Sequence, residues 1–239
     1  MNPPKTWAEK LKMWQKAQDE NTAKALMSPP EKTTLLKAIP FPGVVIIMGS
    51  RGSGKTGLAH EIMETFHDSR KLGGALLLPL SLRGKKKLLP SWVKVVSSIS
   101  QLPKKSVSII DEAAQVAHAR RSQSTMAVQL DNLISISRHR QQLILFISHH
   151  SRKLDLNLIH DSDRIVWKCP TEAHALFERD ELQRFTRKAL EFFTSIKSGK
   201  ARQKATYLMD LHHLRFLWFN NGLPSWWSET ISQGFQDLR

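Results

Sequence analysis

Short apolar runs alternate along the middle of the chain with segments of helical periodicity. Gly43-Val44-Val45-Ile46-Ile47-Met48 is rich in β-branched residues and suits a strand buried on both faces. A glycine-rich turn and a helix over roughly 55–67 follow it. Ala75–Leu78 is a second short strand candidate, and Val93–Ile99 fits strand and helix equally. Val107–Ile110 predicts a strand ending at Asp111-Glu112, with a helix near 113–119. A further helix spans about 125–138, with Met126, Leu130, Leu133 and Ile134 on one face. Leu143–Ser148 is a strong strand signal, and Arg164–Lys168 is another, closed by Cys169-Pro170. Strands alternating with helices predict an α/β fold with a mostly parallel sheet. No internal repeat is visible.

The flanks are patterned differently. Residues 5–27 predict a helix, with Trp7, Leu11 and Trp14 at i, i+4 and i+7, and Ser28-Pro29-Pro30 ends it as a linker. Beyond Thr171, Leu182, Phe185, Ala189, Phe192, Phe193 and Ile196 form a helical stripe that Ser198-Gly199-Lys200 ends. Thr206–Asp210 and Leu214–Phe219 fit a hairpin around His212-His213, and Pro224–Gln233 fits a short helix. Phe216, Trp218, Phe219, Trp226 and Trp227 are expected to pack as core. The chain is thus expected to divide into an N-terminal helical segment and linker (1–40), a core (41–169) and a helix-and-hairpin extension packed on it (170–239).

Composition narrows the class. The chain has 239 residues, 41% hydrophobic and 24% charged, too apolar for a disordered tail. One cysteine excludes a disulfide scaffold and a Cys-rich zinc module, and fits a reducing compartment. No uncharged stretch is longer than Ala38–Ser50, which is too short for a membrane span of roughly 20 residues, and Met1–Lys16 lacks a signal-peptide core. A soluble, intracellular, globular protein is expected. Its formal net charge is +15, most of it in residues 41–169, and residues 69–110 contain no acid. Arg83-Gly84-Lys85-Lys86-Lys87 is the densest part. Such an excess predicts a polyanionic partner without identifying it.

Gly49-Ser50-Arg51-Gly52-Ser53-Gly54-Lys55-Thr56 matches G-x-x-x-x-G-K-[ST], between an apolar strand and a helix that continues through Gly57. Glycines let the backbone curl so that successive N–H groups point at phosphate oxygens, and the helix N-terminus adds partial positive charge. Lys55 would reach the β- and γ-phosphates of ATP, and the Thr56 hydroxyl would bind Mg²⁺. Asp111 supplies the carboxylate that such an ion needs, and Glu112 beside it can position an attacking water. The lesser alternative makes Glu112 the first-turn acid of the next helix, favoured by the helix dipole.

Ser137-Arg138-His139-Arg140 leads into Leu143-Ile144-Leu145-Phe146-Ile147-Ser148-His149. His149 at the strand end is a candidate sensor of phosphate or attacking water. Arg138 and Arg140 precede the strand, on the opposite sheet edge from Lys55. Either could serve a neighbour's nucleotide in a ring, or simply cap a helix C-terminus.

These motifs, Gly49–Thr56, Val107–Glu112 and Ser137–His149, resemble the FtsK–HerA superfamily of DNA-pumping P-loop ATPases. They are most similar to the genome-packaging ATPases of tailless double-jelly-roll viruses with internal membranes. In that family an Arg-His pair commonly precedes a strand ending in Ser/Thr-Gln; here the pair is Arg138-His139 and the ending Ser148-His149. The resemblance covers roughly 41–169. It implies a RecA-like core and a homo-hexameric or homo-pentameric ring through which ATP hydrolysis drives double-stranded DNA. Lys55, Thr56, Asp111, Glu112 and His149 would act in cis, with Arg138 or Arg140 in trans. It makes Arg83, Lys85, Lys86, Lys87, Lys104, Lys105, Arg120 and Arg121 candidate DNA contacts, and capsid or virion-membrane vertex proteins candidate partners. It implies a place in the host cytoplasm or at a packaging vertex of the virion. Two alternatives stay open: a Zot-like virion assembly and extrusion ATPase, and a helicase-loader-like ATP switch. No LSGGQ-like run and no N-K-x-D motif is present, which disfavours an ABC ATPase and a GTPase.

Overall fold

The computed structural model describes residues 19–25, 27–78, 86–111 and 131–231. Among them, nine strands form one sheet: β1 (Glu31–Lys32), β2 (Gly43–Gly49), β3 (Gly73–Leu77), β4 (Val93–Val96), β5 (Ser106–Asp111), β6 (Gln142–Ile147), β7 (Arg164–Lys168), β8 (Ala205–Asp210) and β9 (Arg215–Asn220). Their spatial order is β1-β9-β8-β7-β2-β6-β5-β3-β4. Only the β7–β8 and β8–β9 pairs are antiparallel. The expected α/β architecture with a mostly parallel sheet is what the chain forms.

The central strands read as continuous apolar runs because both sheet faces are covered. In β2, Val44, Ile46 and Met48 enter one core cluster while Val45 and Ile47 enter the other. Of the helices, α1 (Leu35–Ala38) lies just before β2 and α2 (Lys55–Arg70) follows it; then come α3 (Leu156–His160), α4 (Glu172–Leu176), α5 (Asp180–Ser195) and α6 (Gly199–Lys204). The helix α2 covers one face with Leu58, Ala59, Ile62, Met63 and Phe66. On the other face α5 buries Leu182, Phe185, Ala189 and Phe193, four positions of its sequence stripe. The helix α5 ends at Ser195 with Ile196 as its C-cap, and Ser198 caps a new helix by accepting the Ala201 N–H (3.4 Å).

The ambiguous Val93–Ile99 stretch resolves into β4 followed by a 3₁₀ turn at Ile99–Gln101. At the C-terminus helix begins only at Glu229, because residues 221–228 run as an irregular strap along α2. Gly222 N–H donates to Glu61 Oε1 (2.8 Å) and Ser225 N–H to Glu64 Oε2 (2.9 Å). The expected hairpin is present, and it extends the central sheet through β8 on β7. Its aromatics divide between the faces: Phe216 and Trp218 join one cluster, while Phe219, Trp226 and Trp227 join the other. The predicted helix near 113–119, the first part of the 125–138 helix and most of the N-terminal helix lie outside the described residues. Residues 131–137 are helical, and no described helix is long and apolar enough to cross a membrane.

One buried cation joins the parallel and antiparallel halves. Lys168 is 0% exposed, and its Nζ donates to Gln203 O (2.6 Å), Ala205 O (2.7 Å) and Asn221 Oδ1 (2.6 Å). Burial, with Cys169 and Glu61 nearby, sets its pKa at about 8. All three ammonium protons have acceptors, so a neutral, similarly shaped replacement would strand those acceptors in the interior. Lys168→Met is expected to lower unfolding stability by at least about 3 kcal/mol, measured by urea titration. An unchanged midpoint would exclude this role.

Candidate functional site

The carboxyl ends of β2, β6, β5 and β7 converge on one edge of the sheet. The strand order puts β6 between β2 and β5, so the Gly49–Thr56 loop and Asp111 stand one strand apart. Ile147 is level with Ile47 on one side and with Asp111 on the other. This is the arrangement with an added strand between the phosphate-loop strand and the acidic strand, and it leaves a polar residue after β6 between the two.

The loop's shape follows from its glycines. Gly52 (φ 75°) and Gly54 (φ 90°) occupy left-handed conformations that side-chain-bearing residues adopt at a cost. Gly49 has φ 146°, and a Cβ there would lie 1.8 Å from the Lys168 carbonyl oxygen. No other residue fits that approach between β2 and β7. Gly57 is less confined, since a Cβ would meet only the end of the exposed Leu223 side chain in the C-terminal strap (2.6 Å), which can move aside. Ser50 Oγ donates to the Cys169 carbonyl (2.7 Å), tying the loop to the end of β7. Arg51 is exposed and Ser53 buried.

Lys55 begins α2 and folds back into the loop. Its Nζ donates to Gly49 O (2.8 Å) and Ser50 O (2.8 Å), and to His149 Nδ1 (3.3 Å). The structure thus brings together Gly49–Gly57, Lys55 and His149 at the edge where β5 delivers Asp111. Thr56 and Asp111 offer hard oxygen donors of the kind Mg²⁺ takes. No cluster of three or more His, Cys, Asp or Glu able to hold a metal exists among the described residues. A two-donor set fits an ion that keeps most of its shell as water and phosphate oxygens. Glu112, Arg83, Lys85, Arg120 and Arg121 lie outside the described residues.

Arg138 and Arg140 lie at the opposite edge, as their place before β6 dictates. The Arg138 guanidinium is 65% exposed and pairs with Asp163 (3.0 Å). The same carboxylate contacts His212 Nε2 (2.7 Å) and accepts the Val44 N–H (2.7 Å), so it is fixed to β2. Arg140 is half-buried and donates to the Leu102 carbonyl (2.5 Å). Lys86, Lys87, Lys104 and Lys105 are exposed.

Three residues here had no motif to announce them. Lys168 and Asp163 read along the chain as ordinary strand-end charges. His174 lies in α4, beyond the three motifs, yet its ring stacks on His150 (4.4 Å between centroids, 19°). Only the Thr171-x-x-His174 spacing marks it, as a capping box.

No family model matches the chain, and no curated protein matches it by sequence. Among solved structures it is similar to the genome packaging NTPase B204 from Sulfolobus turreted icosahedral virus 2 in complex with sulfate. That likeness has 14% identity and a TM-score of 0.50, over 76% of this chain and 97% of that one. It is likewise similar to B204, the DNA-packaging ATPase from Sulfolobus Turreted Icosahedral Virus, at 15% identity and a TM-score of 0.50, over 75% of this chain and 98% of that one. At these identities the likeness establishes the fold: a P-loop NTPase fold like that of those packaging proteins.

One buried group makes this region acid-sensitive. His60, fully buried on α2, donates from Nδ1 to the Thr56 carbonyl (2.8 Å) with Trp226 and Trp227 at its ring edges. Burial pushes its pKa down to about 4 against 6.5 for a free side chain, and the Thr56 carbonyl offsets this only in part. Between those values the unfolded chain binds a proton that the folded chain refuses, so stability falls as pH drops from 6.5 towards 4. Denaturation at stepped pH should show this loss, and His60→Phe should make it shallower.

Proposed function

We propose that this protein is an ATPase that drives double-stranded DNA during packaging of a viral or mobile-element genome, as a homo-hexameric or homo-pentameric ring. The observation that carries this is the phosphate loop itself, with Lys55 folded onto its carbonyls and Asp111 one strand away across β6. The likeness in fold to packaging NTPases supports the choice of substrate and task.

The loop amides and the N-terminus of α2 hold the phosphates, and Lys55 exchanges loop carbonyls for β- and γ-phosphate oxygens. Thr56 and Asp111 hold Mg²⁺, which when bound neutralises charge on those oxygens. Glu112 orients and deprotonates the attacking water, and His149 beside Lys55 contacts that water or the γ-phosphate. Arg138 is the arginine given in trans: its guanidinium is exposed and aimed by Asp163, whereas Arg140 is committed to the Leu102 carbonyl. Such an arginine is worth roughly 10³–10⁵ in rate.

The DNA contact lies along the edge opposite the nucleotide. Lys71, Lys105 and Gln141 each adopt positive φ (55°, 50° and 53°) just before β3, β5 and β6. Gly73 N–H donates to Lys105 O (3.2 Å) and Lys105 N–H to Arg140 O (3.0 Å), which locks the three entries side by side. Exposed Lys71, Lys104, Lys105 and His139 therefore form a basic ridge across three adjacent strands, about 5 Å apart. Lys86, Lys87, Arg83, Lys85, Arg120 and Arg121 add to the charge available to DNA. Capsid or virion-membrane vertex proteins would anchor the ring, in the host cytoplasm or on the virion.

An ATPase assay with and without duplex DNA, run alongside sizing in ATP, tests the proposal. Turnover stimulated by duplex in a ring-sized species is expected, and Lys55→Ala and Arg138→Ala should each abolish it. Turnover indifferent to DNA at low salt, with a protein ring as partner, would point to a loader-like switch. Membrane co-sedimentation without DNA binding would point to virion extrusion. Lys104→Glu with Lys105→Glu should weaken duplex binding and leave DNA-free turnover intact. The slope of log affinity against log salt should become shallower by about 0.9 for every phosphate the variant no longer neutralises.

A further inference from the structure

Strand order sets three histidines around one backbone carbonyl. β7, β2 and β6 are neighbours in that order, and the chain leaving β6 carries His149 and His150. The chain leaving β7 carries His174 on α4. The His150 and His174 rings stack from opposite sides of β2, at the end where Gly49 sits. Gly49 is buried, and its carbonyl accepts from Lys55 Nζ (2.8 Å). Ser50, whose carbonyl accepts from the same ammonium, is partly open to solvent.

The tautomer of His174 is set by its own helix cap. Thr171 N–H donates to His174 Nδ1 (3.3 Å), and Thr171 Oγ1 stands 2.7 Å from the same nitrogen. Nδ1 is therefore the acceptor, and the neutral ring carries its proton on Nε2. That nitrogen is enclosed and has no hydrogen-bond partner among the described residues. Burial, with His150, Lys55 and His149 close by, pushes the ring's pKa down to about 4, while the Gly49 backbone favours its charged form. His174 is thus a neutral ring with an unused donor beside the Gly49 carbonyl.

This donor matters when nucleotide arrives. Lys55 cannot hold the loop carbonyls and the β- and γ-phosphates at once. Water can satisfy the Ser50 carbonyl when Lys55 leaves, but the buried Gly49 carbonyl needs a donor from the protein. We propose that His174 is a positioning residue that takes over the Gly49 carbonyl through Nε2–H as Lys55 moves to phosphate. The inference rests on nucleotide binding at this loop and goes beyond it by assigning the residue that releases the lysine. His150, stacked on the far side of the ring, holds its plane over β2.

The test uses the full chain and titration calorimetry with the non-hydrolysable analogue AMPPCP and Mg²⁺. His174→Phe keeps a ring for stacking but lacks the donor; His174→Gln restores an N–H near the Nε2 position. His174→Phe should weaken AMPPCP binding about tenfold, without lowering the melting temperature of the nucleotide-free protein, because Lys55 satisfies Gly49 there. His174→Gln should recover most of the affinity. Equal affinity in wild type and His174→Phe overturns the proposal. So does a melting temperature that falls with the affinity and is not restored by Gln, which marks a structural role. Failure of wild type to bind AMPPCP overturns the nucleotide site itself. Imidazole nitrogen NMR of the wild type supplies a measurement independent of variant folding. It should find Nε2 protonated on His174, with a signal that moves on adding AMPPCP; an Nδ1-protonated ring overturns the assignment.

Discussion

The close approach of Gly49 to the end of β7 is the constraint on which the site depends. β2 and β7 are parallel neighbours with Gly49 level with Lys168, and there is no room between them for a Cβ. That approach fixes where the phosphate loop leaves the sheet, and so where Lys55 and Thr56 begin α2. The same Lys168 carries its ammonium into the interior, where it gathers the end of α6, the start of β8 and Asn221. Asn221 opens the strap whose backbone is held by Glu61 and Glu64 on α2. The loop, the antiparallel extension and the strap are thus one connected unit, and the C-terminal residues brace the phosphate-loop helix from its outer side.

The two edges of the sheet have opposite electrostatic tasks. At the carboxyl edge, glycine amides, a helix N-terminus and Lys55 gather positive potential around a small volume, with the Asp111 carboxylate one strand away across β6. At the amino edge, acids are buried and matched. Asp210 is fully buried and bonded to Arg164 (2.8 Å), with Arg215 and His213 completing its shell. Asp163 holds Arg138 and His212. With these acids neutralised internally, the lysines of that edge face solvent unpaired with them. The parallel strands run from one edge to the other, with their starts at the amino edge and their ends at the phosphate loop.

Much of this was legible along the chain. Continuous β-branched runs predicted buried parallel strands because helices on both faces leave no polar face to alternate with. The glycine spacing of 49–56 predicted the loop because few sequences tolerate left-handed backbone at Gly52 and Gly54. The position of Arg138 before β6 placed it away from Lys55, since parallel strands carry their starts to one edge and their ends to the other. The Val93–Ile99 stretch stayed undecided because four strand residues are too few for a period to show, and only pairing with β3 made them a strand. The helix expected over 224–233 begins only at Glu229, because the residues before it run as the strap. Its backbone donors instead found carboxylates on α2, a competitor no local window contains.

The sequence alone determined the class of fold, the phosphate loop, the acidic strand end and the surplus of positive charge. These rest on short-range rules: backbone freedom at glycine, periodicity of apolar side chains, and the count of ionisable groups. Tertiary structure alone decided that β6 separates β2 from β5, that β8 and β9 extend the same sheet, and that Arg138 answers to Asp163. It also brought His174 over Gly49, from a segment with no motif of its own. Those outcomes turn on which strands become neighbours. That choice is made by burial of both sheet faces at once and by the need to pair every buried donor and acceptor across residues far apart in the chain.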